Sequence, residues 1–422
     1  ANLWVKPDGI EHFELRKIEY VPGLFKIFDE IIVNAADNYQ RNNATNTIKV
    51  WIDREKGEVK VYNNGPGIPV AIHKEHQVYI PEMIFGELLS GSNFNDTEKK
   101  VTGGRNGYGA KLTNIFSSKF GVETADGKSG KKFKMTWKDN MSKKTEPIIE
   151  AYSKEDFTEV TFVPDFKRFG IKGFDNATYD LFAKRVWDLA GVVSEKVKVF
   201  LNNTRIPVKN FKEYVDLYFG GAKKNVPKKK LGKNMDTSIK SQELTSEQEN
   251  DEETKENIVK IYHRNPRWEV VVSISDGQFE QVSFVNSICT TRGGTHVNHV
   301  ADLLVEQLLE EIKKKNKKLQ IKPPVIKNNL WVFVNSLIEN PAFDSQTKET
   351  LTTKVSNFGS KCTFTDKFFK ELLATNLIEQ IVRAAEQKED AQLARALAGK
   401  KKSKLIGVKK LEDANLAGTK DS

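Results

Sequence analysis

The chain has 422 residues, 38% of them hydrophobic and 25 of them Phe, enough to bury two or three cores. Its formal net charge of +10 favours a polyanionic partner, although a solvated surface accounts for such a charge equally well. Only Cys289 and Cys362 are present, which excludes a disulfide framework or a cysteine zinc site and fits a reducing compartment. No apolar run approaches the length of a membrane span, so no membrane partner is expected.

In chain order, residues 23–39 read as a helix and 47–63 as two strands around a turn at Glu55-Lys56-Gly57. A short helix at 81–90 precedes a glycine-rich loop over 91–110, which runs into a second helix near 109–117. Strand patterns follow at 131–137, 157–163 and 196–201, with a helix at 177–194. Residues 221–256 change character: a lysine-rich stretch is followed by "ELTSEQENDEETKE", which has too little apolar surface to offset its ordering entropy. This segment reads as a disordered linker. Order returns with strands in "IVKIYH", "WEVVVSIS", "EQVSFVNSI" and "KNNLWVFVNSLI". An amphipathic helix is predicted at 297–315, and further helices at 366–373 and 376–397. A basic and polar tail, 401–422, closes the chain, and no internal repeat is visible. The class is mixed α/β (α+β).

Three stretches carry chemistry. In "LFKIFDEIIVNAADN" a rotation of about 100° per residue places Leu24, Phe28, Ile31, Ile32 and Ala35 on one side and Glu30, Asn34 and Asp37 on the other, with Asn38 at its edge. An ordinary amphipathic helix would look similar. Yet asparagine is a poor helix former, its carbonyl oxygen suits Mg²⁺, and a carboxylate one turn earlier can activate water. "VYNNGPGIP" ends a strand in a sharp turn, Gly65-Pro66-Gly67. It is either a plain strand-ending turn or a pocket floor with Asn63 on a base edge. "VTGGRNGYGAKLTN", 101–114, combines bare backbone with Arg105, Asn106 and Lys111, and is either a phosphate cradle or a glycine-rich surface turn. It is not a Walker A loop, because Ala110 precedes Lys111 and Leu112 follows it. Nor is it a dinucleotide fingerprint, because Gly107-Tyr108-Gly109 lacks the third glycine. The run "KKKNKK" at 313–318 offers charge without aromatics, for non-specific DNA or as a solvated helix end.

The order of these elements, a helix with Glu-x-x-x-Asn, a strand ending Asn-x-Gly-x-Gly, then a glycine-rich lid, resembles the GHKL ATPases: the gyrase B subunit, the ninety-kilodalton heat-shock chaperone, MutL and histidine kinases. Longer runs, "VPGLFKIFDEIIVNAADN", "YIPEMIFGELL", "EKKVTGGRNGYGAKLTNIFS", "SFVNSICTTRGGTHV" and "NPAFDSQTKETL", resemble the eukaryotic type IIA DNA topoisomerases (topoisomerase II) over nearly the entire chain outside 221–256.

The resemblance implies a GHKL α/β sandwich over about 1–220, a transducer of the ribosomal S5 domain 2-like type over about 257–400, and a tail leading towards a TOPRIM domain that this sequence does not contain. It implies ATP and Mg²⁺ as ligands, ATP-dependent homodimerisation around DNA, and the nucleus as location. Glu30 would be the general base and Asn34 the Mg²⁺ ligand, with Asp37 and Asn38 supporting the site and the nucleotide. Asn63, with the Gly65 and Gly67 turn, would hold adenine. Ser92 and Asn93 would contact ribose and phosphate, Gly91 replacing a serine of the family pattern. Gly104, Arg105, Asn106, Gly107, Tyr108, Gly109, Ala110 and Lys111 would cover the triphosphate. Gln346 and Lys348 would reach in from the transducer, Lys348 onto the γ-phosphate. The family's "RPDTYIGS" run does not occur, and the start at Ala1 suggests a piece of a longer protein. A chaperone or mismatch-repair ATPase is the rival reading, against which "SQTK" and "GGRNGYGAK" stand. A DNA-binding module with a vestigial nucleotide fold is a second, against which the set Glu30, Asn34 and Lys348 stands.

Overall fold

The computed structural model describes residues 1–87, 99–104, 107–220, 259–315 and 321–398. The predicted linker at 221–256 and the tail at 401–422 lie outside the described residues.

The first part of the chain runs β1 (Asn2–Val5), β2 (Glu14–Lys17), α1 (Pro22–Asn42), β3 (Thr47–Asp53), β4 (Glu58–Asn64), α2 (Ile80–Gly86), α3 (Gly109–Ile115), β5 (Ser117–Asp126), β6 (Lys131–Lys138), β7 (Lys143–Lys144), β8 (Ile148–Ala151), β9 (Phe157–Pro164), α4 (Asn176–Val192), β10 (Lys198–Leu201), β11 (Thr204–Arg205) and α5 (Phe211–Asp216). Apart from the β1–β2 pair, the strands form one sheet in the order β11-β10-β3-β4-β9-β5-β6-β7, with β8 on β6. β10 lies parallel to β3, whereas β3, β4, β9, β5 and β6 pair antiparallel.

Alternation explains the layering. In β3, Ile48, Val50 and Ile52 are buried while Lys49 and Trp51 on the opposite face are not. The buried set packs with Leu24, Phe28, Ile31, Ile32 and Ala35 of α1 and with Phe182, Val186 and Leu189 of α4. Phe28 and Phe182 stack at 4.1 Å between ring centroids. α1 starts at Pro22, whose missing N–H costs nothing there. It stops at Asn43, which takes the left-handed conformation at φ 56° and returns its N–H to the Tyr39 carbonyl.

The second part comprises β12 (Ile261–Asn265), β13 (Trp268–Ile274), β14 (Glu280–Val285), β15 (Ile288–Cys289), α6 (Thr295–Lys315), α7 (Pro323–Lys327), β16 (Leu330–Ser336), α8 (Asp366–Leu373) and α9 (Leu377–Ala398). Its sheet runs β12-β13-β16-β14-β15, with β14 parallel to β16. Trp268, Val270 and Val272 of β13 face α6, together with Val300, Leu304 and Leu308. Val271, Phe284 and Phe333 point the other way and join Phe13, Phe211, Tyr214 and Tyr218 of the first part. One apolar cluster thus fuses the two layers, which is why β13 is buried almost continuously rather than on alternate residues.

Candidate active site

A cavity of about 500 Å³ lies between α1, the end of β4, the turn at 66–69, α2, the start of α3 and the loop around Lys348. Its volume is that of a small-molecule site.

The polar face of α1 forms one wall, and its carboxylates are buried. Glu30 is 5% exposed and Asp37 1%, so the ordinary amphipathic helix with a solvated face is not what forms. The Glu30 carboxylate meets two ammonium groups: Lys26 Nζ, one turn earlier, at 2.8 Å, and Lys348 Nζ at 2.9 Å. Burial alone raises the Glu30 pKa, but Lys348 and Lys26 outweigh it and hold the group below the ordinary carboxylate range. Lys26 is driven the other way: burial lowers it, and Asp29 and Glu30 together raise it. The other carboxylate oxygen fills the space above Gly109, where an added Cβ would stand 2.1 Å from Glu30 Oε2. A glycine at the start of α3 is therefore a condition for seating Glu30.

Lys348 arrives on a loop of the second layer. Its backbone is left-handed, φ 60°, and its N–H bonds the Ser345 carbonyl at 3.1 Å, which turns the side chain inward. The loop is seated by backbone bonds from Arg292 to Glu349, Thr295 to Leu351 and Leu351 to Gly293. Gln346 lines the same cavity and is exposed.

Asp37 holds the glycine-rich segment. Its two oxygens accept the N–H groups of Gly103 at 2.7 Å and Gly104 at 2.8 Å. Burial pushes its pKa up to about 6, against the opposing pull of Arg41 and these two donors. The Gly104 N–H is thus directed at Asp37. Gly107, Tyr108, Gly109, Ala110 and Lys111 line the cavity. Lys111 is buried, its Nζ donates to the Gly107 carbonyl at 2.6 Å, and burial pushes its pKa down to about 8 against the influence of Glu87. Arg105, Asn106, Ser92 and Asn93 lie outside the described residues.

Asn63 lines the cavity floor, 6% exposed, its Nδ2 donating to the Asn64 carbonyl at 3.1 Å. Asn64 is structural, its Oδ1 accepting the N–H groups of Asn46 and Thr47. Asn38 Nδ2 reaches Thr45 Oγ1, the Asn64 carbonyl and the Pro66 carbonyl, so it braces the turn beside the cavity. Gly65 sits at φ 92°, and a Cβ on Gly67 would overlap the Ala125 carbonyl at 1.8 Å.

Asn34 is half-buried and lines the cavity one turn after Glu30. A single neutral carbonyl oxygen completed by phosphate oxygens and water is a donor set that fits Mg²⁺. Among the described residues, His73, Glu75 and His76 form the one cluster of three His or acidic side chains within reach of a shared ion. It stands apart from the cavity, and His73 Nδ1 there accepts the N–H groups of Glu75 and His76.

Sequence reasoning missed Lys26, Asp29 and Arg185. Lys26 was detectable from its i, i+4 spacing to Glu30. The signal for Arg185 was a Lys-Arg pair inside the apolar run "LFAKRVWDLAGVV".

Residues 20–141 match the family of histidine kinase-, DNA gyrase B- and HSP90-like ATPases, and residues 210–401 match DNA gyrase B. The whole chain is 47% identical to DNA topoisomerase 2 of Drosophila melanogaster and 48% identical to that of Arabidopsis thaliana, covering 27% of each. It spans about a quarter of the length of the relatives it matches. Among solved structures it is similar to the ATPase region of Saccharomyces cerevisiae topoisomerase II, at 42% identity and TM-score 0.79, covering 92% of both chains. It is also similar to the ATPase and transducer domains of DNA topoisomerase II from Balamuthia mandrillaris, at 41% identity and TM-score 0.80, covering 92% of this chain and 91% of that one.

Proposed function

The chain belongs to the topoisomerase II family, as its ATPase region with the GHKL fold, and on that premise we propose that its cavity binds ATP with Mg²⁺ and hydrolyses it to drive a DNA-capturing gate. The observation that carries this reading is Glu30, held in the cavity wall between Lys26 of its own helix and Lys348 of the other layer. A buried carboxylate kept ionised in the wall of such a cavity is what water activation requires.

In this mechanism Asn63 accepts from the adenine amino group and the Gly65–Gly67 turn lets the ring approach. Asn34 would hold Mg²⁺ through its carbonyl oxygen, and the ion would offset phosphate charge. Ser92, Asn93 and the segment Gly104–Lys111 cover the triphosphate, its remaining backbone N–H groups and Lys111 supplying donors. Lys348 leaves Glu30 for the γ-phosphate. Glu30 then keeps only Lys26 and becomes more basic. It takes a proton from the water whose oxygen attacks phosphorus, and ADP leaves with the bridging oxygen. Once phosphate departs, Lys348 returns to Glu30.

The domain division belongs to the same reading, with ATPase over 1–220 and transducer over 257–400. So do an ATP-dependent homodimer, a nuclear location and a non-specific basic surface for DNA. Of the lysines considered for that surface, Lys313 and Lys314 are exposed at the end of α6, and Lys314 pairs with Glu311 at 2.6 Å. The side chain of Lys315, and Lys317 and Lys318, lie outside the described residues. Phosphate release from ATP by the purified chain, with and without Mg²⁺, tests the activity. Metal-dependent release above background supports it, and no release at saturating ATP refutes it.

A further inference from the structure

The turn between β14 and β15 leaves its own sheet and enters the other layer. Asn286 and Ser287 have φ of 49° and 65°, the pattern of a tight two-residue hairpin. The Ser287 carbonyl accepts from Arg185 Nη2 at 2.6 Å, and Nε of the same guanidinium donates to Asp29 Oδ1 at 2.7 Å. Asp29 immediately precedes Glu30, and Lys26 stands 3.4 Å from Asp29 and 2.8 Å from Glu30. Asn286 Nδ2 donates to the carbonyls of Thr102 at 3.2 Å and Ile338 at 2.9 Å, while its Oδ1 accepts the Ile338 N–H at 2.9 Å. Thr102 leads into Gly103 and Gly104, the pair that Asp37 holds. A Cβ on Gly103 would stand 3.1 Å from the Asn286 carbonyl oxygen, so turn and lid base meet backbone to backbone.

A buried Arg–Asp pair is an expensive way to stabilise a core that apolar side chains would fill as well. Its value here is geometric. Arg185 is 1% exposed and spans two layers with one rigid fork, leaving Nη1 without a hydrogen-bond partner.

We propose that Arg185 and Asn286 are positioning residues for ATP hydrolysis, and that the Asn286–Ser287 turn is the pivot about which the second layer moves. The proposal rests on the ATPase reading above. Arg185 fixes α1 against the turn at Asp29, next to the general base. Asn286 fixes the base of the lid against the same turn. Lys348 comes from the same layer on a separate loop, so a rotation about the pivot changes the Lys348–Glu30 distance while leaving the Asp29 contact in place. Lid and transducer angle are thereby linked through one turn.

Two variants test this. Arg185→Lys keeps the charge but cannot hold Asp29 and the Ser287 carbonyl together. Asn286→Gly removes the side chain while keeping a backbone that tolerates positive φ. For each, kcat and KM for ATP are measured by phosphate release, and the distance between spectroscopic labels on the two layers is measured with a non-hydrolysable ATP analogue and with ADP. The expected result is a kcat lower by about 10- to 100-fold, a KM within about threefold of wild type, and a smaller distance difference between the two nucleotides. Wild-type kcat with a wild-type distance difference overturns the proposal. So does a rise in KM alone. If Arg185→Lys does not fold, Asn286→Gly decides by the same criteria. Glu30→Gln and the unmodified chain run alongside separate the two claims: no phosphate release by the unmodified chain refutes the ATPase reading, retained turnover in Glu30→Gln refutes only the general-base role of Glu30, and in either case the distance measurement alone judges the pivot.

Discussion

Lys348 Nζ lies 2.9 Å from Glu30 Oε1, although 318 residues separate them in the chain. The contact crosses from the second sheet's loop to the helix of the first, so its length reports how the layers are docked. It also blunts the carboxylate, since two cations on one base lower its basicity.

Lys348→Ala is expected to lower turnover by about 10²- to 10³-fold, the cost of one lost charge on a developing phosphate. Nucleotide binding at Asn63 should persist. A label pair across the two layers should no longer distinguish a non-hydrolysable ATP analogue from ADP, because differential affinity for the two arrangements is lost. An unchanged distance difference would remove Lys348 as the coupling element.

Gly109→Ala places a methyl group where Glu30 Oε2 now stands, 2.1 Å away. Glu30 must move, and its pairs with Lys26 and Lys348 break. Turnover is expected to fall at least about tenfold while far-UV circular dichroism stays native, since the three atoms nearest to the added Cβ all belong to the Glu30 side chain.

Asn63→Ala should weaken ATP binding by about 5- to 150-fold, the range for losing a buried hydrogen bond of roughly 1–3 kcal/mol. Discrimination against GTP should fall in parallel, because the lost oxygen is what reads the amino group. Equilibrium binding of both nucleotides to the variant is the check.

Asp37 predicts a pH dependence. Its pKa is about 6 in the fold against 3.8 for the free group. Above about 6 the carboxylate accepts both lid N–H groups. As pH falls through 6 it protonates, one acceptor weakens, and ATP affinity should drop. The sign for global stability is opposite: the folded state binds this proton more tightly, so from this group alone stability rises as pH falls from 6 to 3.8. Asp37→Asn should show the low-pH affinity at neutral pH and lose the inflection near 6, which a binding titration across pH 5–8 measures.

Much of the fold was legible in the sequence where period and length were strong. α1 and α8 were placed by helical spacing, and β3, β4, β6 and β9 by alternation. β5 was missed although it is central, because "SSKFGVETAD" opens on polar residues and contains Gly121. β1 and β2 were missed because each has four residues and the segment between them carries Pro7 and Gly9. In the site, the spacing of Glu30, Asn34 and Asp37 was readable because one helix carries all three. Lys348 was not, since nothing local marks a polar loop that a second domain delivers, and only the family resemblance singled it out. Asp37 was read as supporting the site and the nucleotide, but that its oxygens hold Gly103 and Gly104 was not legible. A partner made of backbone N–H groups leaves no trace in side-chain pattern.

The most direct test is Glu30→Gln, which keeps the shape of the side chain and removes its basicity. Nucleotide binding and phosphate release are measured on the same preparation with ATP and Mg²⁺. The account predicts near-wild-type ATP affinity with turnover lower by about 10²- to 10⁴-fold. Turnover close to wild type would contradict it, because no proton acceptor would then be needed where Lys26 and Lys348 converge.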